Sequence, residues 1–367
     1  MLFVPLHLLK SGMILAESIP SYNLHVPLVT AGQPLSERLI RSLRDHGIQG
    51  AYIESAVAEG IEPQEFFTPQ KRTSLLEGIK TEYERVRTSG DKPNGKIFEE
   101  MAVEVVLSAL EQEHLLYNVI TIRNYDDYTY SHSLYVGGIA TLIGANMKLK
   151  KQQLVSLATA GLLHDIGKLQ VPLSIINKPA ALTDSEYSAM QEHPLLGVTR
   201  LSKNKLYPSI IIKGVESHHE FYNGDGYPFG LTGENIPLFG RILSLADVYD
   251  ALSSARSYRP AWNPNKIIDY ITSRSGIQFD PNILPFFLQS VAAFPVGMLV
   301  RLSNGWTGIV TKNYPEFILR PCIRIIHPDA ECGRELDLAH SLFNITVEGP
   351  VEDALDLNLT KPQMVHI

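Results

Sequence analysis

The stretch Ala160-Gly-Leu-Leu-His-Asp-Ile-Gly-Lys168 places a histidine beside an aspartate at the end of an apolar run. The run from Leu154 has the length and composition of a helix, and Gly167 interrupts it. Neighbouring helical residues point about 100° apart, so His164 and Asp165 share no face. Both can still contact one metal centre at the helix end, and the two oxygens of Asp165 could bridge two ions. Taken alone, the dipeptide equally fits a half-buried histidine next to a helix-end aspartate.

Length and composition predict an ordinary multidomain protein. A chain of 367 residues exceeds one typical core, and 44% hydrophobic with 19% charged residues is usual for a globular protein. The net charge of −7 provides no long-range attraction to DNA, so an anionic substrate needs a local site. Cys322 and Cys332 form no CxxC pair, which fits a reducing compartment. Because we find no signal peptide and no apolar run of about 18 residues, we expect a cytoplasmic protein without a membrane span.

Changes in the hydrophobic period divide the chain into an α+β start, a helical middle and a β end. The second of two linking helices is expected to extend roughly from Ile97 to Tyr117. Thr183-Asp-Ser-Glu186 has the capping-box spacing that starts a helix, and Pro194 supports a helix boundary or kink just after His193. A hairpin signal at Asn304-Gly305 marks the β end. The predicted units are an N-terminal α+β module over 1–65, linking helices over 66–118, a catalytic domain over 119–290, a small β module over 293–350 and a tail over 351–367.

Histidines and aspartates accumulate in the helical middle, at or near predicted helix ends and faces. Five of the twelve histidines lie between positions 132 and 219. Histidine and carboxylate ligands suit first-row metals such as Fe, Mn, Zn or Ni. Each residue alone has an ordinary structural explanation, but seven ligands are too many for one ion with an open position, whereas two ions bridged by Asp165 would use them well. The seven candidates are His132, His164, Asp165, His193, His218, His219 and Asp247.

A long loop over residues 220–237, EFYNGDGYPFGLTGENIP, interrupts the helical pattern. Loops of this length inside a compact domain are usually functional or disordered, and its aromatics and prolines argue against disorder. Gly226 permits close approach of backbone to a ligand, and Tyr227 could stack on or hydrogen-bond a substrate. The loop is therefore predicted to shape a pocket and a partner surface.

Together these motifs resemble the HD-GYP family, a branch of the HD phosphohydrolase superfamily. The resemblance extends over roughly residues 100–290. It implies an all-α HD-type catalytic domain, so we expect a multidomain chain with a small α+β module before this domain and a small β module after it. The motifs that carry it include His164-Asp165-Ile-Gly-Lys168, His193-Pro194, His218-His219-Glu220, Gly226-Tyr227-Pro228, Asp247-Val-Tyr-Asp250 and Arg256-Ser-Tyr-Arg259-Pro260.

The resemblance implies a metal-dependent phosphodiesterase that hydrolyses cyclic di-GMP to pGpG or GMP. Some family members prefer cyclic GMP-AMP, so the choice of dinucleotide stays open. Two other hypotheses are a non-enzymatic signalling protein that binds a cyclic dinucleotide or metal, and a more distant HD enzyme acting on a nucleotide monoester. The complete set of ligand positions favours the phosphodiesterase. A homodimer, or a signalling partner bound through the 220–237 loop or the outer modules, is also open.

The resemblance also implies roles for individual residues. One ion would be held by His132, His164, Asp165 and Asp247, and the other by Asp165, His193, His218 and His219. Certain members hold a third ion with a glutamate at the position of Tyr128, so we expect two divalent ions here, with Fe or Mn ahead of Zn or Ni. The expected catalytic residues are Asp165, Lys168 and Asp250, of which Asp250 could orient either Lys168 or a metal ligand. The expected substrate contacts are Arg256, Arg259, Tyr227 and Gly226.

Overall fold

The described part of the chain is helical in its middle and contains β-strands towards both ends. The computed structural model describes residues 1–19, 28–46, 48, 50–63, 65–111, 117–118, 128–178, 180–202, 206–254, 261–341 and 344–351. The helices are α1 (Glu37–Asp45), α2 (Pro69–Ser89), α3 (Gly95–Leu110), α4 (Tyr128–Asn146), α5 (Lys151–Leu163), α6 (Leu173–Ile176), α7 (Asp184–Gln191), α8 (His193–Ser202), α9 (Ser209–Ser217), α10 (Leu238–Ser253), α11 (Pro264–Ser273) and α12 (Leu284–Leu288). The strands are β1 (Leu2–Pro5), β2 (Gly50–Ile53), β3 (Tyr117–Asn118), β4 (Val291–Ala292), β5 (Leu299–Leu302), β6 (Thr307–Lys312), β7 (Cys322–His327), β8 (Glu335–Asp337) and β9 (Val347–Pro350).

Local side-chain chemistry sets where several helices begin. Thr183 and Glu186 each accept a hydrogen bond from the other's backbone N–H, which confirms that a capping box starts α7. Helix α7 ends at Gln191 and α8 begins at His193, so the helix boundary expected just after His193 lies just before it, at Glu192. Pro194 is tolerated as the second residue of α8 because the first N–H groups of a helix have no intrahelical partner in any case.

The second linking helix is shorter than its sequence pattern predicts. Helix α3 ends at Leu110, and the expected extension to Tyr117 was wrong. Tyr117 instead lies in β3, which pairs in parallel with β4 near the end of the helical domain. The partner strand lies more than 170 residues further along the chain. Local periodicity contains no information about a pairing at that separation.

Helices α4 and α5 approach each other so closely that glycine is required where they cross. A Cβ atom on Gly161 of α5 would lie 2.5 Å from the Cα atom of Gly137 of α4. This contact brings the first turn of α4 beside the C-terminal end of α5, where the candidate metal ligands lie. Both helices are strongly apolar, yet among the described residues no helix is long and apolar enough to cross a membrane.

The C-terminal sheet is buried on both faces and packs against two different cores. Its five antiparallel strands follow the order β8-β7-β6-β5-β9. Because side chains alternate along a strand, Leu299 packs into the core of the N-terminal module while Val300 packs into the helical core. Ile309 and Val310 alternate in the same way on β6. The sheet therefore lies between the N-terminal module and the helical domain.

A buried arginine connects the N-terminal module to the first linking helix. Arg72, in the first turn of α2, is 2% exposed. Its guanidinium donates to a carboxylate oxygen of Glu65 at 3.4 Å and lies 3.8 Å from one of Glu17. Burial and the charge of Glu65 raise the pKa of Glu17 to about 7, although Arg72 opposes the shift. Helix α2 thus contacts the N-terminal module at one end and packs in the helical core along its length.

Candidate metal centre

All seven side chains predicted as metal ligands lie together where several helix ends meet. His132 is the fifth residue of α4, and Asp247 lies in α10. The others lie where helices begin or end: His164 and Asp165 follow α5, His193 starts α8, and His218 with His219 follow α9. All are buried except His219, which is half-buried. Helix termini suit this arrangement because the chain can present adjacent residues to one point there.

The two carboxylate oxygens of Asp165 face two different pairs of histidines. One oxygen lies 3.4 Å from Nε2 of His164 and 3.7 Å from Nε2 of His132. The other lies 3.4 Å from Nε2 of His193 and 4.0 Å from Nε2 of His218. Within each pair the two Nε2 atoms are 3.3 Å apart. Asp165 therefore lies between two pairs of histidines.

Asp247 and His219 complete the two groups. One oxygen of Asp247 lies 3.0 Å from Nε2 of His132, and the other lies 3.9 Å from Nδ1 of His219. Potential ligand atoms lie within 4.8 Å of one another in three sets. These sets are His132 with His164 and Asp247, His193 with His218 and His219, and His164 with Asp165 and His218.

Hydrogen bonds on the far side of the imidazole rings turn four Nε2 atoms towards the centre. Each of three histidines places Nδ1 within 2.7–2.8 Å of the backbone oxygen three residues before it: His164 on Gly161, His193 on Met190 and His218 on Val215. His132 instead places Nδ1 at 2.8 Å from a carboxylate oxygen of Asp250. When Nδ1 carries the proton and donates, Nε2 keeps its lone pair for a metal. The repeated spacing of three residues from a helix-end histidine is the sequence signal for these partners.

The residues at this centre fit divalent metal ions. The oxygen of Asp165 between His193 and His218 is buried and accepts no hydrogen bond from the described residues. A buried carboxylate oxygen without a partner is costly, and a cation would satisfy it. Burial would raise the pKa of Asp165, but its interactions with His164 and Lys168 hold that pKa well below the ordinary value. The donor set is therefore an ionised carboxylate among imidazole nitrogens.

Lys168 and Asp250 are both oriented onto the candidate ligands. The ammonium of Lys168 donates to Asp165 at 2.6 Å and remains partly exposed. Asp250 is fully buried and its carboxylate contacts His132, which is one of the two roles expected for it. The contact joins residues 118 positions apart in the chain. The contact holds the ring of a candidate ligand in place.

The 220–237 loop lies directly against the candidate ligands. The Tyr227 ring stacks on His219 with centroids 4.8 Å apart, and its backbone N–H donates to the His219 oxygen. A Cβ atom on Gly226 would lie 2.5 Å from the same oxygen. The buried carboxylate of Glu220 accepts from the backbone N–H groups of Phe229 and Leu231. The acid that follows the histidine pair thus anchors the loop.

The sites predicted from sequence are not all within the described residues. Arg256 and Arg259, the expected phosphate contacts, lie outside them. Tyr128 is the first residue of α4, but its side chain also lies outside the described part. The expectation of two ions, which depends on Tyr128, therefore stays a prediction.

A single glycine holds the Asp165 turn against α8. The 3₁₀ helix Ile166–Gln170 follows Asp165, and its Gly167 touches the start of α8. A Cβ atom on Gly167 would lie 1.9 Å from the His193 oxygen and 2.5 Å from the Gly197 nitrogen. Absence of a side chain at this position lets Asp165 and His193 meet.

The histidines of the centre differ in their affinity for protons. Burial lowers the pKa of His132, but hydrogen bonds to Asp247 and Asp250 outweigh it and raise this pKa to about 9. Burial is the main reason that the pKa of His193 falls to about 3 and that of His219 to about 4. At pH 7 and without metal, the His132 ring is therefore protonated on both nitrogens and positively charged, while the rings of His193 and His219 are neutral.

We expect metal binding at pH 7 to release about one proton, because a metal on Nε2 of His132 must displace it. The apparent association constant should rise about tenfold per pH unit from pH 7 and level off above pH 9. Calorimetric titration with Mn(II) in buffers of different ionisation enthalpy counts the protons released. Asp250→Asn removes an anionic partner of His132, so the association constant should stop rising at a lower pH than in the parent. Affinity that is constant from pH 7 to 9 would contradict this prediction.

Comparison with known proteins identifies relatives of the helical domain. A model of the HD domain family matches residues 109–283, just under half of the chain. The chain is similar to the cyclic di-GMP phosphodiesterase PA4108 of Pseudomonas aeruginosa, at 35% identity over 222 residues. That match covers 60% of this chain and 53% of the relative, so the chain spans about half the length of PA4108. A 3'3'-cGAMP-specific phosphodiesterase 2 of Vibrio cholerae is 33% identical over 201 residues, covering 53% of this chain and 38% of that protein.

A solved structure extends the likeness beyond the helical domain. Bd1817, described as a HDG"Y"P protein from Bdellovibrio bacteriovorus, aligns with a TM-score of 0.51. The alignment covers 78% of this chain and 97% of that chain, at 15% sequence identity. At this identity the likeness shows the fold alone.

Proposed function

We propose that this chain, whose residues 109–283 match a model of the HD domain family, is a metal-dependent phosphodiesterase acting on a cyclic dinucleotide. The observation that carries the proposal is the division of the Asp165 oxygens between two histidine pairs. A carboxylate between two cation positions is the arrangement that two-metal phosphoryl chemistry needs. The named activities of the relatives from Pseudomonas aeruginosa and Vibrio cholerae agree with this chemistry.

Two divalent ions would be held by the two groups of ligands. His132, His164 and Asp247 would hold one, His193, His218 and His219 the other, and Asp165 would contact both. Iron and manganese are the ions that we favour, and Zn and Ni are compatible with the same imidazole and carboxylate ligands. When bound, the ions supply Lewis-acid stabilisation of phosphoryl charge and lower the pKa of coordinated water.

The remaining residues bind, orient and hold protons around this centre. Lys168 neutralises Asp165 on one side, and its partly exposed ammonium is available to a phosphoryl oxygen. Asp250 holds the ring of His132 so that Nε2 faces inwards. Tyr227, stacked on His219, would contact a substrate base or sugar at the edge of the centre. Arg256 and Arg259 would supply forked donors to the substrate phosphates.

Cyclic di-GMP is the substrate that we favour, with cyclic GMP-AMP second. Of the two relatives compared, PA4108, a cyclic di-GMP phosphodiesterase, matches over more residues. The support for cyclic GMP-AMP is the 3'3'-cGAMP-specific relative from Vibrio cholerae.

We further propose a cytoplasmic protein in which residues 1–65, 66–118, 119–290, 293–350 and 351–367 form an N-terminal module, linking helices, a catalytic domain, a β module and a tail. A second copy of the chain, or a signalling protein, would bind through the 220–237 loop or the outer modules.

Turnover by metal-loaded protein tests the proposed function. Protein loaded with Fe(II) or Mn(II) under anaerobic conditions is incubated with cyclic di-GMP and, separately, with cyclic GMP-AMP, and the products are separated by chromatography. We expect pGpG or GMP from cyclic di-GMP at a rate that chelation abolishes, with two ions per chain by elemental analysis. A loaded protein that leaves both dinucleotides intact would contradict the phosphodiesterase, and three ions per chain would contradict the inference from Tyr128.

A further inference from the structure

Tyr83, on linking helix α2, contacts residues next to the candidate metal ligands, although α2 lies outside the segment that matches the HD domain family. The match begins at residue 109, whereas α2 ends at Ser89. The Tyr83 side chain is nevertheless fully buried in the helical core. Its hydroxyl donates to the backbone oxygen of Leu162 at 2.8 Å and lies 3.3 Å from the Ser133 hydroxyl.

Both contacts of this hydroxyl lie next to candidate metal ligands. Leu162 is two residues before His164, and Ser133 directly follows His132. The Nε2 atoms of these two histidines are 3.3 Å apart and face the same oxygen of Asp165. One phenol therefore touches both chain segments that present this histidine pair.

The Leu162 oxygen lies where a helix needs an external donor. Helix α5 ends at Leu163, and the last carbonyls of a helix have no intrahelical N–H partner. The neighbouring Gly161 oxygen is bonded to Nδ1 of His164, and the Leu162 oxygen receives the hydroxyl of Tyr83. Two consecutive carbonyls of the last turn are thus held by a candidate ligand and by Tyr83, which fixes the turn that carries His164 and Asp165.

We propose that Tyr83 is a positioning residue for the metal centre and that linking helix α2 is part of the catalytic unit. The proposal rests on the proposed function for its consequence in turnover, but its consequence for metal binding is independent of the substrate. The same helix contacts Glu65 and Glu17 through Arg72, eleven residues or about 16 Å before Tyr83. Helix α2 therefore joins the N-terminal module to the turn that carries the ligands.

Tyr83→Phe tests the proposal because it removes only the hydroxyl. Loss of a partner that orients metal ligands commonly lowers metal affinity or activity by about 10- to 100-fold. We expect the dissociation constant for Mn(II), from competition with a chelator, to rise about tenfold, and kcat to fall about tenfold while KM stays within twofold. A KM change with unaltered kcat and metal affinity would overturn the assignment.

Tyr207→Phe is the matched control. Tyr207 is also buried, and its hydroxyl donates to the backbone oxygen of Pro93 at 3.3 Å, on the loop between α2 and α3. Both variants lose a buried hydroxyl bonded to a carbonyl, so we expect similar falls in melting temperature, with normal metal affinity only in Tyr207→Phe. Equal metal affinity in the two variants would contradict a positioning role.

Two further measurements keep the test decisive. If Tyr83→Phe folds only with excess Mn(II), the release of Mn(II) into chelator is timed and should be about tenfold faster than from Tyr207→Phe; equal rates would overturn the proposal. If the parent turns over neither dinucleotide, the proposed function fails, whereas the effect of Tyr83→Phe on metal affinity still decides the role of Tyr83.

Discussion

Asp165→Asn is expected to lower kcat about 10³-fold and to reduce the bound metal from two ions per chain to one or none. An asparagine has one neutral oxygen, and its amide nitrogen would face one of the two histidine pairs without a lone pair to offer. Loss of a charge-stabilising interaction of about 4 kcal/mol in the transition state corresponds to this fall in rate. Steady-state kinetics and elemental analysis of the same preparation measure both effects.

Asp269→Asn serves as the control for the change from carboxylate to amide. Asp269 is exposed on α11 and is not a candidate ligand, so its variant should keep the metal content and kcat of the parent within twofold. An Asp165→Asn protein that retains two ions and a kcat within tenfold of the parent would exclude Asp165 as the bridging ligand.

Gly167→Ala is expected to disrupt the centre without changing any ligand. The added methyl group would lie 1.9 Å from the His193 oxygen, so the 3₁₀ helix that follows Asp165 must move away from α8. Overpacking of this kind costs about 3 kcal/mol at the upper end of its usual range. We expect the free energy of unfolding to fall by that amount in urea, and Mn(II) affinity to fall about 100-fold because Asp165 and His193 separate.

Gly95→Ala provides the comparison for the loss of a glycine. Gly95 begins α3, and the nearest atoms to a Cβ there lie at 3.7 Å, an ordinary van der Waals distance. Alanine also favours helix over glycine, although less at a first helical residue than in a helix interior, so this variant should be as stable as the parent or more so. If Gly167→Ala unfolds with the parent's midpoint and binds Mn(II) normally, backbone contact between the 3₁₀ helix and α8 does not determine the site.

The chemistry of the centre could be predicted from sequence better than its geometry. Histidines and aspartates at helix ends indicate a metal site by residue type alone, and all seven candidates are brought together. The division of the Asp165 oxygens between two histidine pairs depends on how helices α4, α5, α8 and α9 cross, which no local pattern states. The contact of Asp250 with His132 likewise joins residues 118 positions apart in the chain. The sequence alone therefore could not choose between the two roles expected for Asp250.

The fold followed local signals where these were strong and departed from them where distant segments pair. The capping box at Thr183 started α7 as predicted, because capping depends on residues three apart. The helix expected to reach Tyr117 ended at Leu110, since Tyr117 pairs with Val291. Tyr83 shows the same limit at the site: its apolar spacing on α2 indicates a core position, and only the folded chain brings its hydroxyl to Leu162.

The position of the C-terminal sheet has a consequence for biosynthesis. During translation the N-terminal module and the helices of the middle domain leave the ribosome before residues 299–351, although the sheet formed by those residues covers an apolar face of each. At about 5–20 residues per second, both faces stay exposed to water for several seconds. Nascent chains should therefore depend on chaperones until β9 pairs with β5 and the last strand of the sheet is in place.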